Sequence, residues 1–195
     1  THYAPQVKGD IDSIEEAVAL IEQAERPIFY TGGGVVNSGP EASRLLRELV
    51  AETGFPITST LMGLGAYPAS GDNWLGMLGM HGAYEANLAM HGCDVMICIG
   101  ARFDDRITGR TDAFSPKSKK IHIDIDPSSI NKNIRVDVPI VGDVANVLGE
   151  MLALWKERGA KVKKDKLKRW WSTVNKWRKV KCFSDAPSET TIKPQ

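Results

Sequence analysis

The chain has few of the residues from which metal centres and disulfide scaffolds are built. Among its 195 residues there are three cysteines and four histidines. Cys93, Cys98 and Cys182 form no CxxC pair and are odd in number, which excludes a disulfide framework and points to a reducing cytosol or organelle matrix. His2, His81, His91 and His122 lack ligand spacing with them, so no zinc module is expected. No apolar run approaches the roughly 18 residues that a bilayer crossing needs. The N-terminus, THYAPQVKGD, is polar, with neither an apolar h-region nor an initiator Met. No signal peptide is expected from it, and it reads as the inside of a longer chain. The P-loop pattern is missing, and GGGVVN has Asn37 where the GxGxxG dinucleotide fingerprint has its third glycine.

What is present suits a globular domain with a real core, since 42% of the residues are hydrophobic and 25% charged. The net charge of +1 hides an asymmetry. Lys156 to Lys181 holds twelve Lys/Arg against Glu157 and Asp165, a balance of +10, which leaves −9 for the rest. A block of this kind fits nucleic acid, an acidic partner surface or, as charge runs usually do, a solvated helix.

Apolar runs and helical patterns alternate along the chain. DIDSIEEAVALIEQAERP reads as a helix, with Ser13 and Glu16 at capping-box spacing and Ile14, Ala17, Val18 and Ile21 at helical period. PIFYT is a short buried strand running into a glycine turn. GPEASRLLRELVAETG is a helix with Pro40 in its first turn and Gly54 as its stop. FPITST is a strand before the loop LMGLGAYPASGDN, and GAYEANLAMHGC is a helix. DVMICIG, KKIHIDIDP and VPIVGD are strands, and VANVLGEMLALWKER is a helix. The alternation predicts an α/β fold, a Rossmann-like parallel sheet of about five or six strands with helices on both faces. After Gly159 come a basic helix, with Trp170, Val174 and Trp177 on one side, and a Ser/Pro/Thr-rich end. That stripe is expected to pack on the domain or on a neighbour.

In a parallel sheet, ligands sit outside the carboxyl ends of the strands. Five such ends are Gly-rich or acidic: Gly32 to Gly34, Leu61 to Gly65, Gly100 to Arg106, Asp124 to Asp126, and Gly142 to Val144. Glycine lets backbone N–H groups approach a phosphate, a following helix start adds positive charge, and a strand-end acid accepts from ribose hydroxyls. Arg102 suits a phosphate or Asp104. The sum is a site for a long nucleotide. Taken singly, each glycine also suits a tight turn. The cluster Arg102, Asp104, Asp105 and Arg106 also suits a structural knot of ion pairs, and His81 suits a ligand contact or a helix cap.

Five stretches in order, YTGGGVVNSG, TSTLMGLGAYP, MLGMHGAYEAN, GARFDDRITG and HIDIDPSSINKN, resemble the central domain of the acetohydroxyacid (acetolactate) synthase family of thiamine-diphosphate enzymes, from about residue 14 to about residue 154. The resemblance implies that residues 1–159 form an FAD-binding central domain and residues 160–195 a linker towards a C-terminal domain. It implies FAD contacts at Gly33, Thr60, Leu61, Leu78, Gly79, Met80 and His81. Further contacts follow at Gly100, Ala101, Arg102, Phe103, Asp104, Asp124, Ile125, Asp143 and Val144. Asp105 and Arg106 would face the substrate channel. In that family FAD is largely structural. The catalysts, thiamine diphosphate and Mg²⁺, sit in the outer domains, where pyruvate is condensed with a second 2-oxoacid on the way to branched-chain amino acids. A bacterial cytoplasmic homo-oligomer with a regulatory small subunit follows from the same resemblance, with no membrane or nucleic-acid partner. No GDG motif with its Asn-rich end is present, so the chain is expected to hold no catalytic residue and to be inactive alone. A glyoxylate carboligase domain, or a nucleotide-binding module without catalysis, is the alternative.

Overall fold

The computed structural model describes residues 4–180 together with Cys182 and Thr190. His2, Lys181 and the remainder of the Ser/Pro/Thr-rich end lie outside the described residues. Helix α1 (Ile11–Gln23) is capped by Asp10, three residues ahead of the cap expected at Ser13. The Asp10 carboxylate accepts from both the Ser13 N–H (2.9 Å) and the Ser13 hydroxyl (2.8 Å), so Ser13 lies inside the helix rather than capping it. Strand β1 (Pro27–Thr31) is followed by α2 (Gly33–Ser38), where a glycine turn was expected. Helix α3 (Pro40–Thr53) has Pro40 at its start and ends on Gly54 at φ 69°, a left-handed cap that glycine takes without a Cβ clash.

Strands β2 (Ile57–Ser59) and β3 (Trp74–Met77) come next, then α4 (Tyr84–Gly92), β4 (Val95–Ile99) and the single turn α5 (Asp105–Thr108). The chain closes with β5 (Lys119–Asp124), β6 (Val138–Val141), α6 (Val144–Glu157) and α7 (Lys164–Arg178). All six strands are parallel, in the order β3-β2-β1-β4-β5-β6. The first three strands step outwards one way, and β4 returns to the far side of β1. The order therefore reverses between β1 and β4, which opens a crevice at their C-terminal ends.

Successive side chains of a strand point to opposite faces. Phe29, Ile97, Ile121 and Ile123 join the core under α1, α3 and α6. Ile28, Tyr30, Met96 and Cys98 join the core under α4 and α7. The basic helix α7 thus covers the second face of the sheet with its tryptophan stripe. Trp170 and Val174 are buried, and Trp170 Nε1 donates to the Pro27 carbonyl at 2.9 Å. Trp171 Nε1 donates to Gly54 at 2.8 Å, and the Trp170 and Trp177 rings meet edge to face at 5.6 Å. Lys161, Lys164, Lys168 and Arg169 face outwards.

Candidate functional site

A groove of about 730 Å³ runs across the C-terminal edge of the sheet. The end of β1 contributes Gly32 to Gly34, with Asn37 and Ser38 one turn further along α2. The end of β2 contributes Thr60, Leu61 and Met62, and that of β3 Met77, Leu78, Met80 and His81. After β4 come Gly100, Ala101, Arg102 and Asp104 to Ile107. Asp124, Ile125, Asp126 and Ser129 follow β5, and Asp143 and Val144 follow β6. Every strand of the sheet therefore reaches this one groove.

The glycines let two turns lie against each other. Gly100 has φ 61°, and a Cβ on it would sit 2.6 Å from the Gly34 Cα. A Cβ on Gly32 would sit 2.3 Å from the Gly100 carbonyl oxygen. Gly34 N–H donates to that carbonyl at 3.0 Å, and Gly32 N–H donates to Ile99 at 2.9 Å. The turn after β1 thus rests on the turn after β4, and the Gly34 N–H is spent on protein.

The segment after β4 divides its side chains between inside and outside. Phe103, at φ 53°, is 1% exposed and turns into the core. Its ring meets Tyr30 at 5.5 Å, His122 at 5.2 Å and Phe114 at 5.9 Å. It lies behind the groove wall, so its place is that of a peg. Arg102 and Asp104 stay outside, paired at 2.8 Å with side chains 61% and 48% exposed. Asp105 and Arg106 sit on α5, whose Arg106 carbonyl accepts from Met80 N–H at 2.9 Å.

Gly79 also lies behind the groove surface. At φ 92° it approaches the Arg106 carbonyl so closely that a Cβ would sit 2.6 Å from it. Asn87 clamps Gly79 by donating to its carbonyl at 3.0 Å and accepting from its N–H at 2.8 Å. His81 is exposed at the groove and caps nothing, because α4 starts at Tyr84 with Ala83 as its N-cap and no side-chain hydrogen bond there.

Three acids stand at the β5–β6 end in different surroundings. The Asp143 carboxylate caps α6 through Ala145 N–H at 3.0 Å and takes the Ser38 hydroxyl at 2.8 Å. Asp126 caps the turn Pro127–Ser129 and is held below the usual carboxylate range by hydrogen bonds from Ser128. Asp124 is 8% exposed, and burial pushes its carboxyl upwards. Its Oδ1 accepts from Asp126 N–H at 2.9 Å, and its Oδ2 lies 3.9 Å from His122 Nε2.

Sequence reasoning missed Asn37, Ser38, Ile107 and Ser129 as groove residues, while Met62 and Asp126 lie within the strand ends it singled out. Asn37 and Ser38 become legible once the glycine turn is known to continue as a helix. Among the described residues no group of three or more His, Cys, Asp or Glu is arranged to hold a metal ion, and no helix is long and apolar enough to cross a membrane.

A six-stranded parallel sheet with its groove at the reversal of strand order defines a doubly wound α/β domain, the class in which ligands sit outside the carboxyl ends of the strands. Residues 14–151 match the family described as thiamine pyrophosphate enzyme, central domain, and the chain belongs to that family. It is similar to the acetolactate synthase large subunit of Haemophilus influenzae, 46% identical over 193 residues that make up 99% of this chain and 33% of that protein. It is also similar to the acetolactate synthase isozyme 3 large subunit of Escherichia coli, at 41% identity over 99% of this chain and 33% of the relative. An acetolactate synthase of Mycobacterium bovis is 42% identical over 99% of this chain and 31% of its own length. The chain spans about a third of the length of these relatives.

Proposed function

We propose that the groove holds FAD and that the chain acts as the central domain of an acetolactate synthase large subunit. The observation that carries this reading is the reach of the groove. From β3 to β6 there are five strand spacings, about 24 Å at ~4.8 Å each. That is room for a dinucleotide rather than for one nucleoside. Its chemistry also changes along its length. Leu61, Met62, Leu78 and Met80 make the β2–β3 end apolar, as a flat ring system needs, and Asp124 stands at the β5 end, where a ribose hydroxyl donates.

In this reading Gly33 and Asp124 receive the adenosine half, and Arg102 exchanges its exposed Asp104 partner for the diphosphate. Thr60, Leu61 and Leu78 to His81 lie along the flavin and its ribityl chain, with Gly100 and Ala101 below. Ile125, Asp143 and Val144 close the far end. Asp105 and Arg106 face the substrate channel. Gly79 and Phe103 shape the loops from behind. FAD supplies structure here and takes no net redox part.

For the whole protein we propose condensation of pyruvate with pyruvate or 2-oxobutyrate. Thiamine diphosphate and Mg²⁺ then belong to the domains flanking this one. Residues 160–195 lead on towards the C-terminal domain, after α7 has crossed the second face of the sheet. A homo-oligomer with a regulatory small subunit in the bacterial cytoplasm completes the proposal, and the domain alone is inactive.

Titration of the chain with FAD, followed by flavin fluorescence, tests the groove. Saturable binding is expected, weakened about tenfold or more in Arg102→Ala and in Asp124→Ala, as for hydrogen bonds to charged groups. Equal affinity in both variants contradicts it.

A further inference from the structure

Three buried polar side chains form one row across the second face of the sheet. Tyr30 of β1 is in register with Cys98 of β4, and Cys98 with His122 of β5. All three are 0% exposed. Burial pushes Tyr30 and Cys98 upwards and His122 down to about 4, so each is neutral near pH 7. The stretch after β4 folds back over this row. The Ala101 carbonyl lies 2.7 Å from His122 Nε2 and accepts from Cys98 Sγ at 3.2 Å. A carbonyl only accepts, so Nε2 carries the imidazole proton, and Nδ1 is left as a bare acceptor without a partner among the described residues. Phe103, two residues on, sets its ring edge to face against His122. Arg102, between these two anchors, is therefore held at the groove with no buried contact of its own.

We propose that His122 is a positioning residue for the groove: by donating from Nε2 to the Ala101 carbonyl, it fixes the segment that presents Arg102 and Asp104. The bond is strong for its kind, being short and shielded from water. Cys98 is a weak donor and does not replace it. Leucine at this position fills comparable space but leaves the carbonyl with the thiol alone. Glutamine keeps an N–H donor.

Three measurements on the chain test the assignment, and only the last rests on the flavin reading. Long-range ¹H–¹⁵N spectra of the unmodified protein should show His122 protonated at Nε2; protonation at Nδ1 overturns the proposal without any variant. Amide hydrogen exchange in residues 101–108 should quicken about tenfold in His122→Leu, the scale of one lost buried hydrogen bond. The amides of β1 and α3 should stay unchanged, and His122→Gln should restore the segment. Uniform quickening throughout, or none at residues 101–108, assigns His122 a packing role only and overturns the proposal. FAD affinity should fall in His122→Leu and recover in His122→Gln. Absence of FAD binding in the unmodified chain counts against the flavin reading, while the first two measurements still decide the role of His122.

Discussion

The two faces of the sheet are finished with different chemistry, although the same strands supply both. Under α1, α3 and α6 the central strands offer the apolar side chains of Phe29, Ile97, Ile121 and Ile123. Under α4 and α7 the alternate positions bring Tyr30, Cys98, Lys120 and His122. Each of the last three is committed to a loop: Cys98 and His122 to Ala101, and Lys120 Nζ to the carbonyls of Ser115 and Ser118, both at 3.0 Å. Trp170 likewise holds the start of β1. Apolar contact is non-directional, and hydrogen bonds are not. The first face therefore supplies stability, and the second fixes the geometry of the segments around the groove.

The largest effect that sharpens this contrast is expected on the first face. Phe29, fully buried with its ring 5.7 Å from that of Phe55, should cost about 3–5 kcal/mol as Phe29→Ala in chemical denaturation, with hydrogen exchange after β4 unaltered. A loss of under ~1 kcal/mol there breaks the division between faces.

The second effect belongs to His122. The unfolded chain takes up its proton near pH 6.5, whereas the folded chain does so only near pH 4. Between those values the unfolded state binds more protons, so stability is complete above about pH 6.5 and falls as pH falls. Asp124, whose carboxyl is raised by burial, acts with the opposite sign in its own window. Comparing the chain with His122→Gln isolates the histidine, and the stability difference should shrink by about 3 kcal/mol on going from pH 7 to pH 4. A difference independent of pH contradicts a neutral buried imidazole. The smallest effect is that of Trp170→Phe, which loses the hydrogen bond to Pro27 and part of the indole's packing, about 1–2 kcal/mol by thermal melting.

The elements legible in the sequence are those with one dominant signal. β1 and β4 are apolar runs followed by glycine, β5 carries isoleucines at alternate positions and ends on aspartate, and α3 has Pro40 and Gly54 at its ends. β3 escaped notice because it is a four-residue edge strand with Gly76 at φ 88° inside it. The cap of α1 was misplaced because Ser13 and Asp10 are both good caps, and only coordinates show which side chain accepts. Residue types at strand ends pointed to the edge of the sheet along which the groove runs. They did not reveal that Phe103 points inwards, since alternation has no meaning in a loop with a left-handed residue. Nor did they reveal that Gly32, Gly34 and Gly100 serve one another, because the β1–β4 contact joins segments far apart in sequence.

The groove itself is best tested by ¹H–¹⁵N spectra of the chain titrated with FAD and, separately, with ADP. FAD should move amides at both ends, those of Leu61, Met80 and His81 as well as those of Gly33 and Asp124. ADP should move only the latter group, and bind more weakly. Equal affinity for the two, with identical shifts confined to one end, or no shift at any strand end, contradicts a groove built for a flavin dinucleotide.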